Sequence, residues 1–573
     1  MMKSSLDEFV SVIDRLISRL DDLESRVSAL EHPAASRGPA IVQPPVTITT
    51  QQHPLAKLSR SSGVMPVVGR VFLGIAGAYL LRALAETGFA PQWTVTAVAL
   101  LYAGMWLLWA ARTSLEATFA GTAYATTAAV ILSPMLWELT LRFKVMPAGI
   151  AATVLVMFVA AAVALAWKHK LASVVWAPSM FAVVTAGGLL VATRDPLPFA
   201  AALLAMAVLT EAAASSDRWL GLRPWIAIAT DLALLALIAI YTGANVSPDY
   251  KPIAPATLLA VFAALFTIYA ASVLTRTVAL RREVGIFEIG QTVAVFLLAA
   301  TGVLRVTHQA VAIGLGAFCL LAAAFCYLLV FIRFENAGQP RNYHVFSTWA
   351  AALLLAGSFF CLSANAGAVW LGMVAMAATF AGIRSARFTL VFHGVMYLAA
   401  TAWISGLLGY SGKLLFSELP EQGSWPVWMA GAFTLVSYAL AVRSLRGRSL
   451  LASAPGWREQ ALPLAFASLV TCAVTAAAVT AVLLIFHPGS GAQLAALRTL
   501  VLCLVALSLG WSGSRFKRIE LIWLAYTTIA LCTLKLLFED LRHGSAGTLA
   551  FSLFCYGMVW LLVPRLARAS KAS

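Results

Sequence analysis

The sequence predicts an all-α polytopic membrane protein with about eighteen transmembrane helices and an N-terminal cytoplasmic coiled-coil helix. Of the 573 residues, 61% are hydrophobic and 11% are charged, and the mean hydropathy is +0.87. Soluble domains carry about 25% charged residues, so this composition is typical of membrane proteins. From about Pro66 to Pro564, apolar runs of about 18–25 residues follow one another, and each is long enough to cross a hydrocarbon core of about 30 Å. Short loops leave no room for a sizeable soluble catalytic domain.

The charges in the loops predict the orientation of these spans. With the N-terminus in the cytoplasm, the inside loops and the C-terminal tail hold 22 Lys and Arg, and the outside loops hold 8. A missed or invented span would invert this bias downstream of it, and no inversion occurs. The positive-inside rule therefore predicts eighteen spans with both termini in the cytoplasm. The same rule explains the net charge of +16, and no motif of a nucleic-acid-binding fold accompanies that charge.

Three regions divide the chain. Residues 1–32 carry an unbroken heptad pattern, which favours a coiled coil and a homo-oligomer; an amphipathic helix on the membrane or on the protein's cytoplasmic face is the alternative. Residues 33–63 are rich in Pro, Ser, Thr and Gln and are predicted to form a flexible linker. Residues 64–573 form the transmembrane domain and a short basic tail. The heptad positions are occupied by Leu6, Phe9, Ile13, Leu16, Leu20, Leu23, Val27 and Leu30.

No pattern of an enzyme, a metal site or a cofactor site is present. The seven cysteines all fall in apolar spans, and none has a Cys-x-x-Cys or Cys/His metal spacing. Ser/His/Asp, His-Glu-x-x-His and P-loop spacings do not occur. We therefore expect no metal and no cofactor, and an enzyme is the less favoured class.

Charged residues at membrane depth are costly and indicate candidate sites. Asp231 lies about two turns into the seventh span, and Glu288 and Gln291 share a face of the ninth. We interpret these three as a candidate intramembrane polar site, which serves either transport and protonation or hydrogen bonding between helices. Glu138 and Glu211 lie at span ends, where we expect them to be solvated.

Further charges lie near the ends of the first and seventeenth spans. Arg82 and Glu86 are four residues apart, as are Lys535 and Glu539, so each pair could form an ion pair within its own helix. Because these two spans carry opposite charges at both ends, we hypothesise that they pack together and exchange partners. The alternative is that the charges extend to water at the interface. The residues of these candidate helix–helix charge pairs are Arg70, Arg82, Glu86, Glu520, Lys535, Glu539 and Asp540.

Both ends of the transmembrane domain resemble a known family. The first span opens on Gly69-Arg70 and carries Arg82 and Glu86 near its outer end, and the penultimate span ends in Lys535, Asp540 and Leu541. With the N-terminal heptads and the Pro-rich linker, this resembles the bacterial predicted membrane proteins catalogued as domain of unknown function 2339. The resemblance implies the bacterial inner membrane as the location and implies no activity.

Two functions fit these features. The first is a transporter or flippase of a lipid-linked or amphipathic envelope component, which needs a polar cavity between helices. The second is a non-catalytic scaffold that oligomerises through residues 1–32 and organises a membrane or envelope complex. A membrane glycosyltransferase is disfavoured, because the first outer loop is short and holds a single acid, Glu86. Beyond the lipid bilayer, no partner can be named from the sequence.

Overall fold

The computed structural model describes residues 55–87, 91–113, 118–169, 173–243, 248–335, 338–416, 423–445 and 456–572. Within these ranges the protein is all-α and contains no strand, which confirms the predicted fold class. The predicted coiled coil at residues 1–32 lies outside the described residues. The first helix begins at Leu55, inside the segment predicted to be linker, where Leu, Ala, Lys and Arg favour helix.

In the described ranges, the first half of the domain contains nine long helices, α1 to α9. In chain order they are Leu55–Thr87, Gln92–Arg112, Thr118–Trp137, Ala148–His169, Ser173–Ala192, Leu197–Ser215, Arg223–Tyr241, Pro255–Leu274 and Ile286–Val306. A short 3-10 turn, Leu220–Leu222, precedes α7.

The second half contains helices α10 to α20. In chain order they are Ala312–Leu329, Pro340–Cys361, Ala364–Ser385, Phe388–Ile404, Leu407–Phe416, Trp425–Leu445, Gly456–Phe486, Gly491–Arg515, Ile519–Lys535, Leu541–His543 and Ala546–Ala572.

Among the described residues, seventeen helices are long and apolar enough to cross a membrane. The pair α13 and α14 is bent by 56° at Ser405 and Gly406, and counting it as one broken span gives the eighteen spans that the sequence predicts. Gly406 has a φ of +79°, a conformation that glycine adopts without steric cost. The Ser405 hydroxyl accepts a hydrogen bond from the Leu407 backbone N–H at 3.3 Å. A residue of the break thus satisfies one of the free N–H groups at the start of α14.

The helices pack as a serial array. In the unit Val67–Ser573, nearly all substantial helix contacts join a span to the next span or to the one after it, and the contact of α2 with α5 is the exception. The buried apolar clusters also follow the chain: one extends from Val67 to Ala299, the next from Val273 to Ala350, and a third from Ala351 to Ala473. This pattern is typical of repeat proteins, in which each unit contacts its neighbours.

Four of the described spans finish in a single π turn instead of a regular α turn. These are Glu138–Arg142 after α3, Thr275–Ala279 after α8, Val330–Phe334 after α10, and Leu536–Asp540 after α18. A π turn shifts the residues that follow it around the helix axis, and it is frequent at functional positions. Each of these turns carries charged residues, and their side chains contact neighbouring helices or turns.

Three described loops on one side of the array share a reversal, and we call this side the basic face. Helices α6, α12 and α17 each end at a left-handed residue, Asp217, Ala386 or Lys517, followed by an arginine. The backbone N–H of that arginine donates a hydrogen bond of 2.8–3.2 Å to the carbonyl five residues earlier, as in a Schellman cap. None of these three left-handed residues is glycine, so this helix-stop signal does not stand out in the sequence.

At five of the described basic-face loops, an arginine side chain reaches back to an earlier basic-face loop or helix end. Each arginine reaches the end of the span that finished two spans earlier. The contacts are Arg218 to the Trp167 carbonyl (3.0 Å), Arg282 to the Ser215 carbonyl (3.2 Å), Arg333 to the Val278 carbonyl (3.4 Å), Arg387 to the Glu335 carboxylate (2.5 and 2.9 Å) and Arg518 to the Val442 carbonyl (3.2 Å). Because these carbonyls lie at helix C-termini, a cation there also interacts favourably with the helix dipole.

Candidate functional site

The most extensive buried polar site of the described residues lies near the basic face, between α6, α7, α8 and α9. We call it the Arg223 cluster and define it by Glu211, Arg223, Arg276 and Glu288. The Arg223 guanidinium donates to both oxygens of Glu211, at 3.0 and 2.6 Å, and to Glu288 at 3.0 Å. Arg276 lies 2.6 Å from the same Glu288 oxygen. All four residues are 9% exposed or less, so two cations and two carboxylates neutralise one another away from solvent.

Local structure explains how these four side chains meet. Glu211 lies in the last turn of α6, and Arg223 is the first residue of α7, ahead of Pro224. Arg276 lies in the π turn that follows α8. Glu288 lies in the first turn of α9, where its carboxylate accepts the Gly285 backbone N–H at 2.6 Å and the helix dipole favours an anion.

Further bonds extend the cluster. The Ser272 hydroxyl donates to Glu211 at 2.5 Å, and Arg276 donates to the Ala214 carbonyl at 2.6 Å. Arg276 Nε is paired with Glu288 by charge and makes no hydrogen bond among the described residues. At the solvent edge, Asp217 is paired with Arg282 and lies 3.5 Å from Arg276. Both carboxylates are therefore held by arginines, and these bonds restrict the relative positions of the four helices.

The predicted polar site adjoins this cluster on its membrane side. Gln291 Nε2 donates to Asp231 Oδ2 at 2.9 Å, which joins α7 to α9 one turn beyond Glu288. Asp231 Oδ1 is buried and has no hydrogen-bond partner among the described residues. The structure thus brings Asp231 and Gln291 together as a pair, while Glu288 belongs to the Arg223 cluster. An unsatisfied carboxylate oxygen at this depth is costly unless it takes up a proton or a cation.

Sequence reasoning missed three members of this site. Glu211 was expected to be solvated at a span end, but its side chain is 6% exposed and bound to Arg223. Arg223 and Arg276 were counted only among the basic residues of the inside loops. The signal that could have identified Glu211 and Arg223 was their position on either side of the tight reversal between α6 and α7, which places an acid and a base at adjoining helix ends.

A second buried charge site, which we call the Lys535 cluster, joins α17 to the π turn after α18. Lys535 Nζ donates to Asp540 at 2.6 Å and to Thr499 at 2.7 Å, and it lies 3.4 Å from Glu539. Arg498 donates to Glu539 at 2.7 Å. Lys535 and Arg498 are each 1% exposed. This site again contains two cations and two anions, so its formal charge is balanced.

The predicted charge pairs are partly present. Arg82 and Glu86 pair within α1 at 3.3 Å, and Lys535 and Glu539 pair across the end of α18. The hypothesised exchange between the first and seventeenth spans does not occur among the described residues. Arg82 instead contacts Glu138 of the third span at 3.0 Å.

The two remaining charges of that hypothesis also have other neighbours. Arg70 donates to the Tyr124 hydroxyl at 3.0 Å, and Glu520 lies 3.5 Å from Arg518. The correction has a physical reason. Apolar spans carry no sequence signal for which helices meet in lipid, whereas short loops favour contact between spans that are near in the chain. Glu138, expected to be solvated, is the actual partner of Arg82, and its side chain is 20% exposed.

In the described part of the chain, no group of three or more His, Cys, Asp or Glu side chains could hold a metal ion. Comparison with protein-family models, with curated proteins and with solved structures finds no match for this chain. The functional argument therefore rests on the packing of the helices, with support from the two charge clusters and the Asp231–Gln291 pair.

Proposed function

We propose that this integral membrane protein is a non-catalytic scaffold that organises a membrane or envelope complex. The observation that carries the proposal is the serial packing of its helices, in which spans contact neighbours in the chain. Known secondary transporters instead bring spans from two distant repeats around one midplane site. A serial array presents long lateral faces, which suits the binding of other membrane proteins.

The state of the buried charges supports the same function. In the Arg223 and Lys535 clusters the acids and bases neutralise each other within hydrogen-bond distance. Such groups fix helix positions and offer no free charge to a solute. The predicted coiled coil at residues 1–32 would then join copies of the scaffold, and the linker would keep that joint away from the membrane.

Location and orientation belong to the proposal. We place the protein in a bacterial inner membrane with both termini in the cytoplasm. The loop charges and the resemblance to the family of domain of unknown function 2339 support this placement.

Cysteine labelling tests the orientation. Single substitutions Ser385→Cys and Ser514→Cys, on the basic face, are compared with Ser490→Cys, on the opposite side, in a chain from which the seven native cysteines have been removed. A membrane-impermeant maleimide is added to intact cells. We expect it to modify the Ser490→Cys variant alone; modification of the two basic-face variants would reverse the assignment.

The scaffold function is tested by comparing a variant without the heptad segment with a variant that lacks a buried charge. Deletion of residues 1–32 is compared with a charge variant, the single substitution Asp231→Asn, in a deletion strain scored for sensitivity to detergent and chelator. Single-molecule photobleaching of the same variants counts the copies per complex. We expect the truncated chain to lose both assembly and complementation, and the charge variant to keep both. The opposite pattern would eliminate the scaffold function.

One observation favours a second function, transport coupled to protons or cations. It is the buried Asp231 Oδ1 atom, which has no hydrogen-bond partner among the described residues. Proteoliposomes with an internal pH dye, energised by a potassium gradient, test this function. Transport predicts a proton flux that Asp231→Asn abolishes and that Glu86→Gln, at an exposed pair, leaves unchanged. No flux above that of empty liposomes would remove the transport function.

A further inference from the structure

A cavity of about 170 Å³ opens between the first three spans, away from both charge clusters. Its walls are apolar side chains of α1, α2 and α3: Ile75, Ala78, Ala99, Ile131, Pro134 and Met135. Arg82 and Glu138 lie at one end of it, 3.0 Å apart. The cavity thus combines a long apolar wall with a charged end.

The packing of α1 explains why this space stays open. Toward its middle, α1 meets α2 through glycines: a Cβ at Gly74 would lie 2.5 Å from the Trp106 ring, and one at Gly77 would lie 2.5 Å from the Tyr102 hydroxyl. Beyond this close approach the small side chain of Ala78 leaves a gap. Only 11% of the most apolar window of α1 is buried, the lowest share of the seventeen spans. The gap between α1 and its neighbours is therefore an apolar space within the bilayer.

The charges at the mouth indicate what the space accepts. Arg82 and Glu138 line the cavity, and Arg142 is linked to Arg82 through Glu86. Lys144 is exposed and stands between two lining residues, Phe143 and Val145. Three cations and two anions give a formal charge of +1. An apolar channel that ends at a net cation matches an acyl chain that ends at a phosphate.

We propose that this cavity is a binding site for an anionic phospholipid, with an acyl chain between α1, α2 and α3 and the headgroup phosphate at Arg82, Arg142 and Lys144. A free phosphate would gain nothing from the apolar walls, and an uncharged lipid would gain nothing from the mouth. The site is independent of the scaffold function, because its residues lie outside the predicted coiled coil and outside both charge clusters.

Photocrosslinking tests the site in the full-length protein reconstituted into liposomes. Trace phosphatidylglycerol or phosphatidylcholine, each with a diazirine on the acyl chain, is irradiated, and labelled peptides are identified by mass spectrometry. We expect adducts on residues 75–99 and 130–139, in excess over the lipid-facing segment around Val184, which is 73% exposed. Phosphatidylglycerol should label about five-fold more than phosphatidylcholine, since one basic residue near anionic lipid contributes about 1 kcal/mol.

Two substitutions test the binding of the acyl chain and the binding of the headgroup independently. Ala99→Phe fills the cavity and should reduce labelling to the level around Val184, whereas Val98→Phe, on a half-exposed neighbouring position, should not. Lys144→Gln should remove the preference for phosphatidylglycerol and keep the label. If Ala99→Phe does not fold, Ala78→Phe replaces it. Labelling of the cavity no higher than around Val184, labelling that cavity-filling leaves unchanged, or equal labelling by both lipids would overturn the proposal.

Discussion

Replacing Arg223 with methionine should destabilise the folded protein far more than the loss of a surface ion pair. The guanidinium makes three hydrogen bonds to the carboxylates of Glu211 and Glu288. A hydrogen bond to a charged group contributes about 1.5–3 kcal/mol, but the three bonds share one side chain and Glu288 keeps Arg276. Breaking a buried pair by removing one partner costs about 3–5 kcal/mol, and we expect a loss in that range for Arg223→Met.

Unfolding by SDS in mixed micelles, followed by tryptophan fluorescence, measures this loss. Arg142→Met is the matched control, because Arg142 pairs with Glu86 at 2.9 Å but the two side chains are 56% and 40% exposed. Exposed pairs contribute about 0–1 kcal/mol, so the control should lie below about 1 kcal/mol. Adding Glu211→Gln to Arg223→Met should restore part of the stability, since it removes one stranded charge. Equal losses in Arg223→Met and Arg142→Met, or no recovery in the double variant, would refute the account of the cluster.

Two further predictions concern helix packing and use the same unfolding measurement. Lys535→Met strands the buried Asp540 and should cost about 3–5 kcal/mol, which a second substitution, Asp540→Asn, should partly restore; a loss below about 1 kcal/mol would contradict the cluster. Gly372→Ala places a Cβ less than 3.0 Å from the Phe433 ring and should cost about 1–3 kcal/mol by overpacking. Gly104→Ala, which meets nothing within 4 Å, should be neutral or stabilising, and equal effects at the two glycines would count against the close contact.

Hydropathy and loop charge were sufficient to predict the fold class and the span count. Both signals come from the bilayer, which requires long apolar segments and retains basic loops on one side. Helical spacing also brought Glu288 and Gln291 to one face of α9. It could not show that Glu288 faces Arg223 and Gln291 faces Asp231, because hydropathy says nothing about which helices are neighbours.

The π turns and left-handed caps were missed for a related reason. Their backbone geometry is set by packing, and the residues at these positions, such as Ala386 and Lys517, carry no glycine signal. A non-glycine residue in this conformation costs about 1–2 kcal/mol. The hydrogen bonds of the cap and the arginine that follows offset that cost in the folded array, and neither is visible along the sequence.

The basic face connects the topology signal to the packing. Spans that run toward this face end there, so their free carbonyls and the negative ends of their dipoles lie beside the arginines of the next basic-face loop. Two of the spans that start from the face, α9 and α18, carry an acid in the first turn, Glu288 and Glu520, where the dipole favours an anion. The loop arginines on which the predicted orientation depends therefore also link helical hairpins to the preceding ones at the five described contacts. If each hairpin is fixed by its predecessor, the array can extend along the membrane without closing around a central site, and this is the property that a scaffold needs.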